Sequence, residues 1–187
     1  MSQKNILRKK YYSLRKKKYF EIKKSFFNPL VNLFKIRYKK KVLKIAIYYP
    51  SNYEINILKI LENNYFKNKK FLLPVIKKNY TMNFFLWKKN EVLLVNKYGN
   101  LEPIKSISEI PDIVLVPILA FDKHKFRLGY GKGYYDRYLK KYLKKFKKIL
   151  TVGVAFSFQK HDKLPTDKND IKLDYILTEK GIFWWKY

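Results

Sequence analysis

The sequence predicts an α/β protein, a three-layer sandwich with a largely parallel, Rossmann-like central sheet and helices on both faces. Short apolar runs alternate along the chain with segments of helical periodicity, the pattern that right-handed β-α-β crossovers produce. The run Ile113-Val114-Leu115-Val116 is apolar and β-branched throughout, as expected of a central parallel strand buried on both faces. The length of 187 residues, without a repeat or linker, predicts a single domain over residues 1–187.

The N-terminal part of the chain should contain two helices. Residues 2–24 are predicted to form a basic helix, which Ser2 can cap. Its apolar residues recur at helical spacing: Ile6, Leu7, Tyr11 and Leu14. Lys4 and Arg8 stand four residues apart and therefore share one face of this helix. A second helix begins at Asn28-Pro29, where a capping residue precedes a first-turn proline.

The rest of the chain alternates between strands and helices. Residues 52–61 and 134–148 have helical periodicity. Tyr98-Gly99-Asn100 is a turn signal, and residues 157–170 form a polar loop. The predicted strands are residues 42–49, 71–76, 82–87, 91–95, 113–116, 150–156 and 175–177.

Lysine dominates the charge of the protein. The formal net charge is +29, from 43 basic and 14 acidic residues, and 38 of the basic residues are Lys. One interpretation is binding to nucleic acid or to an anionic membrane surface. The other is an AT-rich genome, because Lys, Asn, Ile, Tyr and Phe have AT-rich codons and are abundant here. We favour codon bias and expect no specific nucleic-acid partner, which makes each of the scarce Gly and Arg residues more informative.

The composition also excludes several kinds of site. The chain has no Cys, so disulfides, thiolate metal sites and Cys nucleophiles are excluded. His124 and His161 are the only histidines, which excludes a His-rich metal site. No apolar run approaches the roughly 18–20 residues of a membrane span, and the N-terminus does not resemble a secretory signal. We therefore expect a cytoplasmic monomer with no membrane partner.

A glycine-rich loop is the most concentrated signal in the sequence. Three of the six glycines lie within Gly129–Gly133. Glycines at every second position allow positive φ angles and let backbone N–H groups converge on an anion. The loop leads into the helix at Tyr134, whose free N–H groups and dipole also attract anions. Lys132 and Arg127 add positive charge, so the segment predicts a site for a nucleotide polyphosphate.

The phosphate-site interpretation has a simpler alternative, a glycine turn between two elements. The GxxxxGK[ST] spacing of a Walker A loop is absent. We favour the phosphate site because glycine is scarce and the flanking residues are charged. Asp136 could hold a divalent cation against bound phosphates. Loss of Lys132 or Arg127 is then expected to reduce turnover more than fold stability.

The residues around the loop resemble a family signature. The segment 116–122 (VPILAFD), followed by Arg127–Asp136, is similar to that of the 5-formyltetrahydrofolate cyclo-ligase family, also called 5,10-methenyltetrahydrofolate synthetase. Further segments that fit the family pattern are 4–8, 48–55, 73–74, 98–103, 163–165, 169–171 and 173–174. Tyr53 and Pro50-Ser51 depart from that pattern at the folate edge.

The resemblance implies an ATP- and Mg²⁺-dependent ligase of folate and one-carbon metabolism. Its reaction is the cyclisation of 5-formyltetrahydrofolate to 5,10-methenyltetrahydrofolate with release of ADP and phosphate. The ATP γ-phosphoryl group is transferred to the formyl oxygen, N10 attacks the activated carbon, and phosphate leaves. Phosphoryl transfer needs positioning and charge neutralisation rather than a covalent nucleophile, so the lack of Cys is no obstacle.

The resemblance also implies which residues bind each ligand. Lys132 and Arg127 would be catalytic, and Asp136 and Asp170 would bind Mg²⁺. The N-terminal helix would contact ATP through Lys4, Asn5, Ile6, Leu7 and Arg8. The glycine loop would contact ATP through Arg127, Leu128, Gly129, Tyr130, Gly131, Lys132, Gly133, Tyr134 and Tyr135. The folate would contact Tyr49, Glu54, Tyr98, Gly131, Lys132, Gly133, Tyr134 and Tyr135.

Two alternative functions remain open at this point. A nonspecific nucleic-acid-binding basic protein should concentrate its basic residues on one face, whereas here they are spread along the chain. An ATP-dependent ligase of the same fold could instead act on another substrate, and the folate-pocket residues decide between the two.

Overall fold

A computed structural model describes residues 2–38, 42–104, 107–146 and 149–183. Within those ranges an eight-stranded sheet carries helices on both faces, which confirms the predicted α/β sandwich. The α-helices of the described ranges are α1 (Gln3–Lys18), α2 (Asn28–Arg37) and α3 (Tyr134–Lys145). The strands are β1 (Lys44–Ala46), β2 (Lys70–Ile76), β3 (Met82–Trp87), β4 (Leu93–Val95), β5 (Leu101–Pro103), β6 (Ser108–Glu109), β7 (Ile113–Pro117), β8 (Ala120–Phe121), β9 (Arg127–Leu128), β10 (Leu150–Val154), β11 (Tyr175–Thr178) and β12 (Gly181–Phe183).

The central part of the main sheet is parallel. The strand order is β12-β11-β10-β7-β1-β2-β3-β6, and β11, β10, β7, β1 and β2 pair in parallel. Strands β3, β6 and β12 add antiparallel edges. Strand β7 has a parallel neighbour on each side and is buried, so the prediction of a central strand at residues 113–116 is confirmed.

Each face of the sheet has its own hydrophobic core. Alternate residues of a strand point to opposite faces, so Ile45 joins one core and Ala46 the other. The first core contains the buried side of α2, including Leu30 and Phe34. The second contains the buried side of α3, including Leu139. The two helix layers are therefore separated by the sheet, as the sequence predicts.

Helix α1 packs at the end of the sheet rather than on either face. Its residues Leu7 and Tyr11 are buried against the β8–β9 hairpin and Leu164. Asp122 stabilises that hairpin, since its carboxylate accepts backbone N–H groups of three other residues: His124, Phe126 and Leu164. This packing places the N-terminal turn of α1 beside the glycine loop.

Three predicted elements differ from the structure. The helix predicted at 2–24 ends at Lys18, and its Ser2 side chain makes no cap hydrogen bond. The chain leaves the helix at Tyr19 because the following apolar residues are needed in the core, among them Ile22 and Phe27. The strand predicted at 42–49 is a regular strand only over β1, although Leu43 and Ile47 still form backbone hydrogen bonds with β2 and Ile47 and Tyr48 stay buried.

The third difference lies after β1. The helix predicted at 52–61 is instead a 3₁₀ helix at Ile57–Glu62. Asn52 and Tyr53 both have positive φ, which interrupts any helix there. Helix α3 ends at Lys145, and residues 147–148 of the predicted helix lie outside the described residues. No helix within the described ranges is long and apolar enough to cross a membrane.

Candidate active site

A cavity of about 700 Å³ opens where β1, β2 and β7 end. Its volume lies within the range of small-molecule sites, about 300–1,000 Å³. Its wall contains Ile76 and Pro117, the last residues of β2 and β7, and Tyr49, which follows β1. The predicted site residues that line it are Lys4, Arg8, Tyr49, Glu54, Tyr98, the continuous segment Arg127–Asp136, and Asp170. Residues far apart in the sequence therefore share one cavity.

The glycine loop requires glycine at two of its three positions. Gly131 has φ +94°, and Gly133, at the start of α3, has φ +67°. A Cβ atom at Gly131 would lie 3.2 Å from the Cζ atom of Arg8, and one at Gly133 would lie 3.0 Å from a guanidinium nitrogen of Arg137. The loop thus lies directly against two guanidinium groups, and the backbone has the conformation that the spacing predicts.

Helix α1 contributes two cationic side chains to the cavity. The Arg8 Nε atom donates to the Gly129 carbonyl at 2.9 Å, and Asn5 accepts a hydrogen bond from the same guanidinium. Ile6 is exposed and Leu7 is buried against the hairpin, so neither lines the cavity. Of the residues 4–8 predicted to contact ATP, Lys4 and Arg8 are therefore the two that line the cavity.

Lys4 connects α1 to the loop before β11. Its Nζ atom lies 2.8 Å from the Asp167 carboxylate and 2.6 Å from that of Asp170. Partial burial lowers the pKa of Lys4, but the two ion pairs outweigh that effect and leave the pKa above its ordinary value. The hydrogen bond from Lys4 also lowers the pKa of Asp167. Asp170 thus lines the cavity as a carboxylate paired with a protein cation.

Arg127 is placed differently from what the sequence suggests. Its side chain is only 4% exposed and forms an ion pair with Asp136, with 2.7 Å between Nη2 and Oδ1. Its Nη1 atom donates to the Ile171 carbonyl at 3.0 Å. Loss of this guanidinium would leave a carboxylate without its cation. These contacts are a reason to expect a larger loss of fold stability on removal of Arg127 than the sequence alone suggests, although the residue also borders the cavity.

Glu54 belongs to a buried polar cluster. Its Oε1 atom accepts the Tyr130 hydroxyl at 2.9 Å, and its Oε2 atom accepts the Ser51 backbone N–H at 2.9 Å. Burial raises the pKa of the Glu54 carboxyl, and the nearby Arg15 charge and these hydrogen bonds offset only part of that rise. Arg15, which is almost completely buried, donates to the Tyr130 hydroxyl.

Sequence reasoning missed Arg15 and Arg137. Both belong to a set of only five arginines in a chain with 38 lysines, and that scarcity was the available signal. Arg15 also stands seven residues after Arg8, two turns along the same helix face. Arg137 borders the cavity, and its guanidinium donates to the backbone carbonyl of Lys132.

Tyrosines form the other side of the cavity. The Lys132 ammonium lies 5.3 Å above the ring of Tyr98, and the Tyr134 hydroxyl donates to the Tyr98 hydroxyl at 3.4 Å. Tyr49 follows β1 in the same wall. The Tyr135 hydroxyl is buried and has no hydrogen-bond partner within the described part of the chain. Burial raises the pKa of Tyr135, so this hydroxyl stays protonated and can donate to a ligand.

The carboxylates of the cavity suit Mg²⁺ only together with a phosphate ligand. No group of three or more His, Cys, Asp or Glu side chains that could hold a metal exists among the residues described. Asp136 and Asp170 both line the cavity, each paired with a protein cation. Because Mg²⁺ is commonly held by one or two carboxylates plus substrate phosphates, this donor set fits a metal that arrives with a nucleotide.

The fold and the cavity define an α/β protein in which a cationic glycine loop faces an aromatic wall. Residues 3–179 match the 5-formyltetrahydrofolate cyclo-ligase family, and the chain belongs to that family. It is therefore related to ligases that act in folate metabolism, and the resemblance stated from the signature is confirmed.

Individual relatives agree with this family membership. The chain is 30% identical to 5-formyltetrahydrofolate cyclo-ligase of Mycoplasma genitalium, over 95% of this chain and 98% of that protein. It is also 30% identical to the Haemophilus influenzae enzyme of that name, over 79% and 80% of the two chains. The solved structure of 5,10-methenyltetrahydrofolate synthetase from Aquifex aeolicus superposes with a TM-score of 0.74 and 32% identity, over 97% of this chain and 92% of that one.

Proposed function

We propose that this enzyme uses ATP and Mg²⁺ to cyclise 5-formyltetrahydrofolate to 5,10-methenyltetrahydrofolate, releasing ADP and phosphate. The observation that carries the proposal is a single cavity with two chemically different walls. One wall consists of the glycine loop, Lys132 and the basic residues of α1. The other consists of tyrosines around the buried carboxylate of Glu54. Such a cavity suits a nucleotide beside an aromatic cosubstrate.

The nucleotide phosphates would lie on the glycine loop. Positive φ angles at Gly131 and Gly133 expose the loop backbone at the N-terminal end of α3, where free N–H groups and the helix dipole attract anions. Arg8 lies against the loop from one side, and Lys132 extends from the loop itself. Their charges would neutralise the phosphoryl oxygens during transfer.

The pterin ring would lie against the tyrosine wall and Glu54. A carboxylate can accept about four hydrogen bonds. The Glu54 carboxylate receives three from the protein, two from Ser51 and one from Tyr130, so one acceptor position remains for a ring N–H group. Tyr98 would stack on the ring, and the unpaired hydroxyl of Tyr135 would donate to the formyl region.

Asp136 and Asp170 are the carboxylates that we assign to Mg²⁺. When bound, the metal ion supplies charge neutralisation to the phosphates. The ion pairs with Arg127 and Lys4 hold both carboxylates at the cavity wall. Arg127 therefore acts in this proposal by orienting Asp136 as well as by adding positive charge near the phosphates.

The reaction needs little covalent chemistry from the protein. The formyl oxygen attacks the γ-phosphorus and displaces ADP, N10 then attacks the activated formyl carbon, and phosphate leaves as the ring closes. The protein contributes by holding the formyl oxygen near the γ-phosphoryl group and by stabilising negative charge. Lys132 is the residue best placed to do the latter, because it is an exposed cation on the loop that lines the cavity.

The test is a spectrophotometric assay of methenyltetrahydrofolate formation, with phosphate release measured in parallel. Product should require both ATP and Mg²⁺ and should match phosphate in a one-to-one ratio. Lys132→Ala should reduce kcat by about 10²–10³, the usual cost of one electrostatic contact to a transition state. The control Lys123→Ala removes an equal charge from an exposed residue outside the cavity and should retain activity. Product formed without ATP, or wild-type turnover in Lys132→Ala, would contradict the proposal.

A further inference from the structure

Arg15 is a buried cation in α1 that the reaction scheme does not use. It is 1% exposed, and its guanidinium donates to the Asn52 carbonyl at 2.6 Å and to the Ile118 carbonyl at 3.4 Å. The same guanidinium donates to the Tyr130 hydroxyl and lies 5.6 Å from the centre of the Tyr130 ring. A cation removed from water in this way needs compensation from the groups around it.

The three acceptors belong to three different loops of the site. Asn52 lies in the loop after β1, which leads to Glu54, and Ile118 directly follows β7. Tyr130 lies within the glycine loop. Asn52 and Tyr53 have φ angles of +50° and +62°, a conformation that costs energy for residues other than glycine. The bond from Arg15 to the Asn52 carbonyl helps to hold this turn.

A single hydroxyl group connects Arg15 to the folate half of the cavity. The Tyr130 hydroxyl accepts a hydrogen bond from Arg15 and donates one to the Glu54 Oε1 atom at 2.9 Å. A tyrosine hydroxyl has only one hydrogen to donate, so its orientation is determined by both partners at once. Any movement of the glycine loop that displaces Tyr130 therefore changes the hydrogen bonding of the buried carboxylate.

We propose that Arg15 is a positioning residue which, through the Tyr130 hydroxyl, couples nucleotide binding on the glycine loop to substrate binding at Glu54. The proposal rests on the function proposed above. A nucleotide that orders the loop would fix Tyr130 against Arg15, and Tyr130 would then hold the Glu54 carboxylate in its binding orientation. By linkage, the folate substrate must increase nucleotide affinity by the same factor.

The Tyr130→Phe variant tests this directly, because it removes one oxygen atom and leaves Arg15 and Glu54 in place. The affinity for 5-formyltetrahydrofolate is measured by calorimetry with and without a nonhydrolysable ATP analogue and Mg²⁺. In the wild type the analogue should tighten folate binding by about fivefold or more, the lower end of common coupling factors. In Tyr130→Phe the ratio should fall to about one. The control Tyr142→Phe, outside the cavity lining, should keep the wild-type ratio.

Arg15 itself is tested by two substitutions. In Arg15→Met the ratio of the two folate affinities should fall to about one. Arg15→Lys keeps the charge and a donor group, so its ratio should lie between that value and the wild-type ratio. A purely structural role would lower the stability of both variants without changing the ratio in the protein that remains folded. Equal ratios in the wild type and Tyr130→Phe, or no coupling in the wild type, would overturn the inference. Neither result would affect the proposed reaction, which is tested separately by ATP-dependent product formation and by the Lys132→Ala variant.

Discussion

The ion pair between Arg127 and Asp136 gives the sharpest prediction about stability. In the Arg127→Ala variant, the Asp136 carboxylate would lose its cation and the Ile171 carbonyl would lose a donor. Breaking a buried pair from one side commonly costs about 3–5 kcal/mol. The Asp136 side chain is 26% exposed, so water can recover part of this cost. We therefore expect the free energy of unfolding to fall by about 3 kcal/mol, including about 1 kcal/mol for the second hydrogen bond.

This loss is large enough to measure in two ways. For a protein of this length each kcal/mol shifts Tm by about 2–4 °C, so Tm should fall by about 6–12 °C. Urea unfolding should report the same change in free energy without a change in m-value. The double variant Arg127→Ala/Asp136→Ala should be more stable than the sum of the single changes predicts, because no unpaired carboxylate remains.

A surface ion pair provides the matched control. Lys59 and Glu62 lie 3.0 Å apart with both side chains more than a third exposed. Lys59→Ala should therefore change the free energy of unfolding by no more than about 1 kcal/mol. If Arg127→Ala is no less stable than Lys59→Ala, the guanidinium is not a structural group. Arg127 would then be a phosphate-facing residue, as the sequence alone suggests.

Two further predictions concern the cavity, and a third concerns the surface charge. Gly131→Ala should raise the KM for ATP, because the new methyl group would strain the backbone and displace Arg8, whereas Gly181→Ala has similar strain in open space and should not. Because burial raises the pKa of Glu54, the KM for the folate should begin to rise at a higher pH than for an ordinary glutamate as the solution is acidified. Glu54→Gln should have a high KM for the folate that does not change with pH in this way. An equal increase in the KM for ATP would contradict a role of Glu54 in folate binding. Binding to two unrelated DNA duplexes should weaken steeply with salt and show no sequence preference, while ATP affinity changes less.

Local patterns predicted most of the elements that carry the site. Strands β2 and β7 were recognisable from continuous apolar runs, and helix α3 from the apolar periodicity that follows the glycine loop. The loop itself was predictable because glycine is scarce in this chain and three glycines alternate within five residues. Gly131 and Gly133 have the positive φ that this spacing allows. These features depend on neighbours within a few residues, so they can be predicted without knowledge of the fold.

Element boundaries were less predictable. The helix predicted at 2–24 ends at Lys18. The chain changes direction there, because Ile22 and Phe27 pack in the core beside α2. The segment after β1 has helical periodicity, yet Asn52 adopts a left-handed conformation with its carbonyl bound to Arg15. In both cases a contact with a distant element outweighs the local preference, which amounts to a fraction of a kcal/mol per residue for ordinary residues.

The α/β class, the glycine loop and the family signature could all be predicted from the amino-acid sequence, since they depend on spacing along the chain. Which charges meet follows from the folded structure. It turned Arg127 towards Asp136, paired Lys4 with Asp170 across 166 positions, and buried Arg15 beside Tyr130. The physical reason is that a chain with 43 basic residues offers many equivalent cations. Their partners are selected by burial and distance in the folded protein, and neither quantity is encoded in local spacing.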